Sequence, residues 1–230
     1  MMILKYHLRK KKWLFLFMLL YEIFLVLPTP YRDFFSYHLS AEIYFSLWVG
    51  LFSALVMTCE AETEFTICYG ISMPRQVFSQ WLPHLLYPFL VVIFVLPITT
   101  IQSDFGKIGE TAFASSGIRA LVLAFSAFVT FLFLSALMLF LRVVMKNVYA
   151  AFGGFFACYF ALHEFRRLLI EGKIPLSCAR YDLGMTGLIF EMRFSVTEEM
   201  WLLNRYGYLF AACLLLFFSF FLLRKSEIRI

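Results

Sequence analysis

The chain offers few side chains arranged to do chemistry. Its four histidines, His7, His38, His84 and His163, are scattered, whereas a zinc site gathers three or four ligands. His163 opens a short charged run with Glu164, Arg166 and Arg167, which reads as an anchor at a membrane interface; no metal site is expected. Cys59, Cys68, Cys158, Cys178 and Cys213 form no C-x-x-C pair and read as small apolar fillers. There is no G-x-S-x-G nucleophile turn. There is also no G-x-x-x-x-G-K-[ST] phosphate loop and no glycine-rich strand-to-helix turn. No catalytic residue and no cofactor of its own are therefore expected. The most unusual carboxylate is Glu22, inside an apolar run. An ionisable group at that depth is expensive and often functional. Glu22 would either face a transport pathway, or reach water at the outer surface, or pair with an arginine such as Arg32.

The elements that must carry these residues are apolar. The sequence has 230 residues, 62% hydrophobic and 20% aromatic, with a mean hydropathy of +0.82. Soluble domains are nearer half apolar. Several blocks approach the roughly 20 residues that cross a hydrocarbon core of about 30 Å. The expected fold is all-α: a single polytopic membrane domain, 1–230, with six transmembrane helices. Spans are expected near Trp13–Leu27, Ala41–Cys59, Trp81–Ile101, Ile118–Val144, from Val148 to about His163, and Tyr206–Leu223. Gly153 and Gly154 would let the fifth helix pack closely. Residues 164–205 form the largest polar region, with apolar islands at 174–178 and 187–190 that suit short re-entrant or interfacial helices. Ser195-Val196-Thr197-Glu198 has the capping-box pattern and would start a helix leading into the last span.

Charge sets the topology. The net charge is +5, and much of the excess lies in Arg9, Lys10, Lys11 and Lys12, which with Lys5 belong to a basic, apolar segment, 1–12. That segment suits an interfacial helix on the cytoplasmic leaflet; the alternative is a disordered basic tail. Membrane lipid, not nucleic acid, is its expected partner. Basic residues near span ends favour the cytoplasm. Arg75, Arg142, Lys146, Arg224, Lys225 and Arg229 all fall inside when both termini are cytoplasmic. This makes the chain a multi-pass protein of the plasma or inner membrane.

The stretch 60–80, between spans two and three, then lies inside the cell. It carries Glu60, Glu62 and Glu64 at alternate positions, followed by Phe65, Cys68 and Tyr69 at helical spacing. Gly70 is a plausible stop, and Pro74 suits the first turn of a second helix, followed by Arg75. Helix, tight turn and helix, joined to spans at both ends, would make a stiff elbow able to pass on a push from another protein. The alternative is an ordinary capped loop with its carboxylates in water.

This order of parts resembles the permease subunits of type-2 ABC exporters. Those have six spans, an N-terminal interfacial helix, a coupling helix between spans two and three, and short re-entrant helices between spans five and six. Glu62 or Glu64 matches the family's acidic position, Thr66 its threonine, and Pro74-Arg75 its later pair. Phe65 stands where the family commonly has glycine, and Gln80 replaces its usual lysine. The resemblance implies a non-enzymatic subunit and an ATP-binding cassette partner that carries ATP and Mg. Contacts to that partner would come from Glu60, Glu62, Glu64, Phe65, Thr66, Tyr69, Pro74 and Arg75. It further implies a second permease chain, identical or homologous, and export of an amphipathic drug, lipid or peptide. The competing readings are a membrane helper or immunity protein without an ATPase, and an intramembrane enzyme. Bacterial prenyl-peptide proteases carry E-E-x-x-x-R, but after Glu198-Glu199 the arginine, Arg205, has the wrong offset and no histidine follows.

Overall fold

A computed structural model of the chain describes residues 12, 13, 16, 20, 116–184 and 197–227. Lys12, Trp13, Leu16 and Leu20 are helical and exposed. The rest of the first span, the second and third spans and the 60–80 elbow lie outside the described residues.

All regular structure among the described residues is helical. Helix α1 is Ser116–Met145, α2 is Val148–Ile170 and α3 is Glu198–Glu227, with a short 3-10 helix, Leu176–Tyr181, between α2 and α3. The three long helices have the length and apolar composition to cross a membrane, as a protein embedded in one requires. At 1.5 Å per residue, α2 is about 34 Å long and α1 and α3 about 45 Å. They fall on the fourth, fifth and sixth predicted spans. The charged run from Glu164 continues α2 to Ile170, and Glu198 to Arg205 already belong to α3, so the non-helical stretch is shorter than the polar region 164–205.

The ends of these helices have local causes. Lys146 closes α1 with φ +56, its N–H donating to the Arg142 carbonyl at 3.2 Å. That is the single-bond left-handed cap, a place usually held by glycine. One residue later Asn147 caps α2, its side-chain oxygen accepting from the N–H groups of Tyr149 and Ala150. Two residues therefore turn the chain from one long helix into the next. At its other end α2 stops in the paired left-handed cap. The Gly172 N–H donates to Leu169 and the Lys173 N–H to Leu168, with Gly172 at φ +71, a backbone shape that glycine adopts without penalty. Helix α3 starts at Glu198 behind Thr197, whose hydroxyl accepts from the Met200 N–H at 3.3 Å. The predicted capping box would have placed the cap at Ser195. Thr197 takes that role instead, and Glu198 and Glu199 then sit in the first turn, where the helix dipole favours negative charge.

Helix α1 is the central element. Leu134 and Met138 pack against Ala151, Phe155 and Tyr159 of α2, and Leu132 and Ala136 meet Ala212 of α3. Gly154 lies against α1: a Cβ there would come within 2.9 Å of the Met145 methyl carbon. Gly153 meets nothing within 4 Å, so only one of the two glycines serves the expected close approach. Aromatic side chains divide between packing and surface. Phe133 meets Tyr208 edge to face at 4.9 Å, while Phe160, Phe210 and Phe217 are exposed. Cys158 and Cys213, read from sequence as small apolar fillers, are exposed. Of the three described cysteines only Cys178 packs, half-buried beside Leu169 and Ala179.

Candidate functional site

Among the described residues the buried charged side chains collect at one end of the bundle, where α2 finishes and α3 begins. Arg205, two turns into α3, is completely buried. Its three nitrogens go to three different elements. Nε donates to Asn204 Oδ1 at 2.8 Å, Nη1 to Thr130 Oγ1 of α1 at 3.0 Å, and Nη2 to the Leu183 carbonyl at 2.6 Å. Asn204 donates through Nδ2 to the carbonyls of Arg180 at 2.7 Å and Asp182 at 2.9 Å. Tyr208, one turn further on, donates to the Tyr181 carbonyl at 2.7 Å. The residues leaving the 3-10 helix have carbonyls with no helical partner, and α3 satisfies them with side chains. A guanidinium is suited to this because its planar fork holds five N–H donors.

Arg166 faces the same region from α2. It is only 6% exposed, and neither its Nη1 nor its Nη2 has a hydrogen-bond partner among the described residues. It lines a cavity of about 30 Å³ with Thr130, Tyr159, His163, Asp182 and Gly184, among others. Asp182 is buried as well. Gly184 has a specific reason to be glycine: a Cβ there would overlap Arg166 Nη1. The absence of a side chain at 184 is what admits the guanidinium. Among the described residues, two arginines and one aspartate leave this buried end with one more positive than negative group.

The charged run starting at His163 is thus split by helix geometry. Arg167, next to Arg166 in sequence, points the other way and is exposed, bonded to Glu164 at 2.8 Å, with Glu171 at 3.8 Å. Lys173 holds Glu171 at 2.7 Å, and this contact, with Arg167 adding to it, keeps the Glu171 carboxyl below its ordinary range. Arg167 and Glu164 are exposed and paired with each other; Arg166 belongs to the interior. No cluster of three potential metal-ligating side chains occurs among the described residues.

Of the residues selected from sequence, Glu60, Glu62, Glu64, Phe65, Thr66, Tyr69, Pro74, Arg75, Lys5, Arg9, Lys10, Lys11 and Glu22 lie outside the described residues. Lys12 is described: its ammonium sits 5.3 Å from the centre of the Trp13 ring, a cation–π contact at an exposed position. Asp182 and Asn204 carry no reading from sequence, Arg166 is read there only as part of an interfacial anchor, and Arg205 only as an arginine at the wrong offset from Glu198-Glu199. Their signal was present. Once Thr197 is taken as the cap, Arg205 falls two turns inside a membrane-length helix, where a charge marks a site by default. Comparison of the chain with protein-family models, curated proteins and solved structures finds no match to any of them.

Proposed function

We propose that this chain is the membrane-spanning, non-catalytic permease subunit of a type-2 ABC exporter, moved by a separate ATP-binding subunit. The sequence resemblance motivates the reading. The observation that carries it is the polar segment after α2. It folds into a short 3-10 helix and is fastened by Asn204, Arg205 and Tyr208 onto the start of the last long helix. A short helix tied to the bundle between the fifth and sixth spans is the kind of part the family has there. Helices α1 and α2, joined by a two-residue turn, would move as one body, as a coupling mechanism requires. In this scheme the acidic elbow at 60–80 receives the motion of the ATPase. Two permease chains form the pathway, and an amphipathic compound leaves through it. Both termini are cytoplasmic, and Glu22 is a candidate pathway residue.

Purifying the full chain from its native membrane and identifying every associated subunit tests this. An ATP-binding subunit should accompany it. The double substitution Glu62→Lys and Glu64→Lys should remove that subunit while membrane insertion is retained. Recovery of the chain without any ATP-binding partner, or an unchanged complex in the double variant, would overturn the proposal and favour a membrane helper that needs no motor.

A further inference from the structure

We propose that the cavity beside Arg166 binds a phosphate oxyanion, presented either by a lipid headgroup or by soluble phosphate. The inference does not depend on the exporter reading.

Four observations lead to it. Arg166 is more than nine-tenths buried, and its terminal nitrogens have no hydrogen-bond partner among the described residues. A buried charge without a partner is strongly unfavourable, and the unfilled N–H groups point to an occupant that supplies negative oxygen. Among the described residues Arg166 and Arg205 outnumber Asp182, the carboxylate that lines the same cavity, so a net positive charge is left for that occupant. The space, about 30 Å³, suits an atom or two the size of water. It would take the oxygens of one phosphate, with the rest of the molecule outside. Lastly, depth favours lipid. Arg166 lies four residues from the end of α2, about 6 Å along the axis, near the boundary between hydrocarbon and headgroups. At that level a guanidinium between membrane helices is within reach of a lipid phosphate, which its fork can bind with two parallel bonds. Phe160, more than a turn deeper on the same helix, is 59% exposed and offers apolar surface to an acyl chain.

The site has a built-in control. Gly184→Ala keeps every charge but puts a carbon where Arg166 Nη1 sits; the guanidinium is the flexible end of its side chain, so it can swing aside without the fold having to open. Arg167→Gln removes one positive charge at the same depth from outside the cavity.

The test is binding to the full-length, delipidated protein in detergent, read by the shift in its unfolding temperature. The probes are dioctanoyl phosphatidylglycerol, dioctanoylglycerol of the same chain length without phosphate, and inorganic phosphate. The wild type and Arg167→Gln should be stabilised by the phospholipid and not by dioctanoylglycerol. Arg166→Gln and Gly184→Ala should bind it roughly tenfold or more weakly, as expected for losing a charge-assisted pair. Stabilisation by inorganic phosphate as well would place recognition in the oxyanion alone; a response confined to the phospholipid would identify the headgroup source. Equal stabilisation by dioctanoylglycerol, no response to either phosphate probe, or unchanged binding in Gly184→Ala would overturn the proposal. If Arg166→Gln does not fold, Gly184→Ala and the two diacyl probes still decide it.

Discussion

The same three helices end in two different ways. Where α1 passes into α2, the chain turns in two residues, and every feature of the turn is local. Lys146 bonds back to Arg142, the Asn147 side chain accepts from Tyr149 and Ala150, and Lys146 is exposed with Arg142 half-buried. Where α2 finishes and α3 begins, the polar groups are buried and their partners lie 22, 24 and 75 residues away. One end is closed by capping rules, the other by a tertiary network that ties the connecting segment to two helices. The lesson is about where a membrane bundle keeps its specificity. Apolar packing along α1 is non-directional, so the polar end must fix which helices meet and at what height.

If so, the two ends should differ most under substitution of Arg205. Arg205→Ala removes bonds to Asn204, Thr130 and Leu183 together. It should cost about 3–5 kcal/mol, the range for breaking a buried charged network. Unfolding in detergent, followed by circular dichroism, would measure it. Arg205→Lys should not restore stability, because a single ammonium cannot reach three separated acceptors as the fork does. A lysine variant as stable as the wild type would show that charge, not geometry, is what the site needs.

Asn204→Ala is next. It strands the carbonyls of Arg180 and Asp182, and a buried group left unsatisfied costs about 1–3 kcal/mol. The expected signature is regional: faster hydrogen exchange across 176–183, with α1 and α2 unaffected where they adjoin Lys146. Uniform acceleration along all three helices would mean that the two ends are not separable. Tyr208→Phe sharpens the same point. It deletes one bond, to the Tyr181 carbonyl, and leaves the ring free to keep its contact with Phe133. A loss of about 0.5–1.5 kcal/mol is expected.

How much of this could be read beforehand follows the same division. The three helices were legible because their information is continuous in sequence. Long apolar runs located the three helices, and the Ser195–Glu198 capping-box pattern placed the start of α3 within two residues. The polar end was not legible as a site. Residues 164–205 read as a polar region of short re-entrant or interfacial helices, with no buried network, because Arg166, Arg180, Asp182 and Arg205 are charged and charge argues against burial. What reverses that expectation is pairing across elements, which no local pattern records. Arg166 and Arg167 make the point most sharply. They are adjacent and identical in type, yet one is buried beside Gly184 and the other is bonded to Glu164 in the open. Only the helix phase, referred to a neighbour far along the chain, distinguishes them.

At the locally determined end, Asn147→Ala should cost about 1 kcal/mol, the ordinary value of an N-terminal cap. The loss should appear as exchange at Tyr149 and Ala150, not at 176–183. A larger, global loss would show that the short turn also registers α1 against α2, and the contrast between the two ends would have to be redrawn.

The smallest effect should come from Glu171, which lies at the polar end but outside the buried network. Its carboxyl is held below the usual 4.5, first by the hydrogen bond from Lys173 and by that residue's charge, with Arg167 adding to it. A lowered folded-state value means the carboxylate form is favoured by folding. The contribution is therefore complete above the unfolded value and is lost as pH falls through the folded one. Between neutral pH and about pH 5, above the ordinary glutamate range, the cap at Gly172 should be unchanged. Below it, exchange at Gly172 and Lys173, corrected for its intrinsic pH dependence, should quicken by more than in Glu171→Gln, whose amide does not titrate. Because all three side chains are exposed, added salt should shrink even this difference. A pH response that instead reaches Asn204 and Arg205 would connect the surface ion pairs to the interior and remove the distinction between the two arginines of α2.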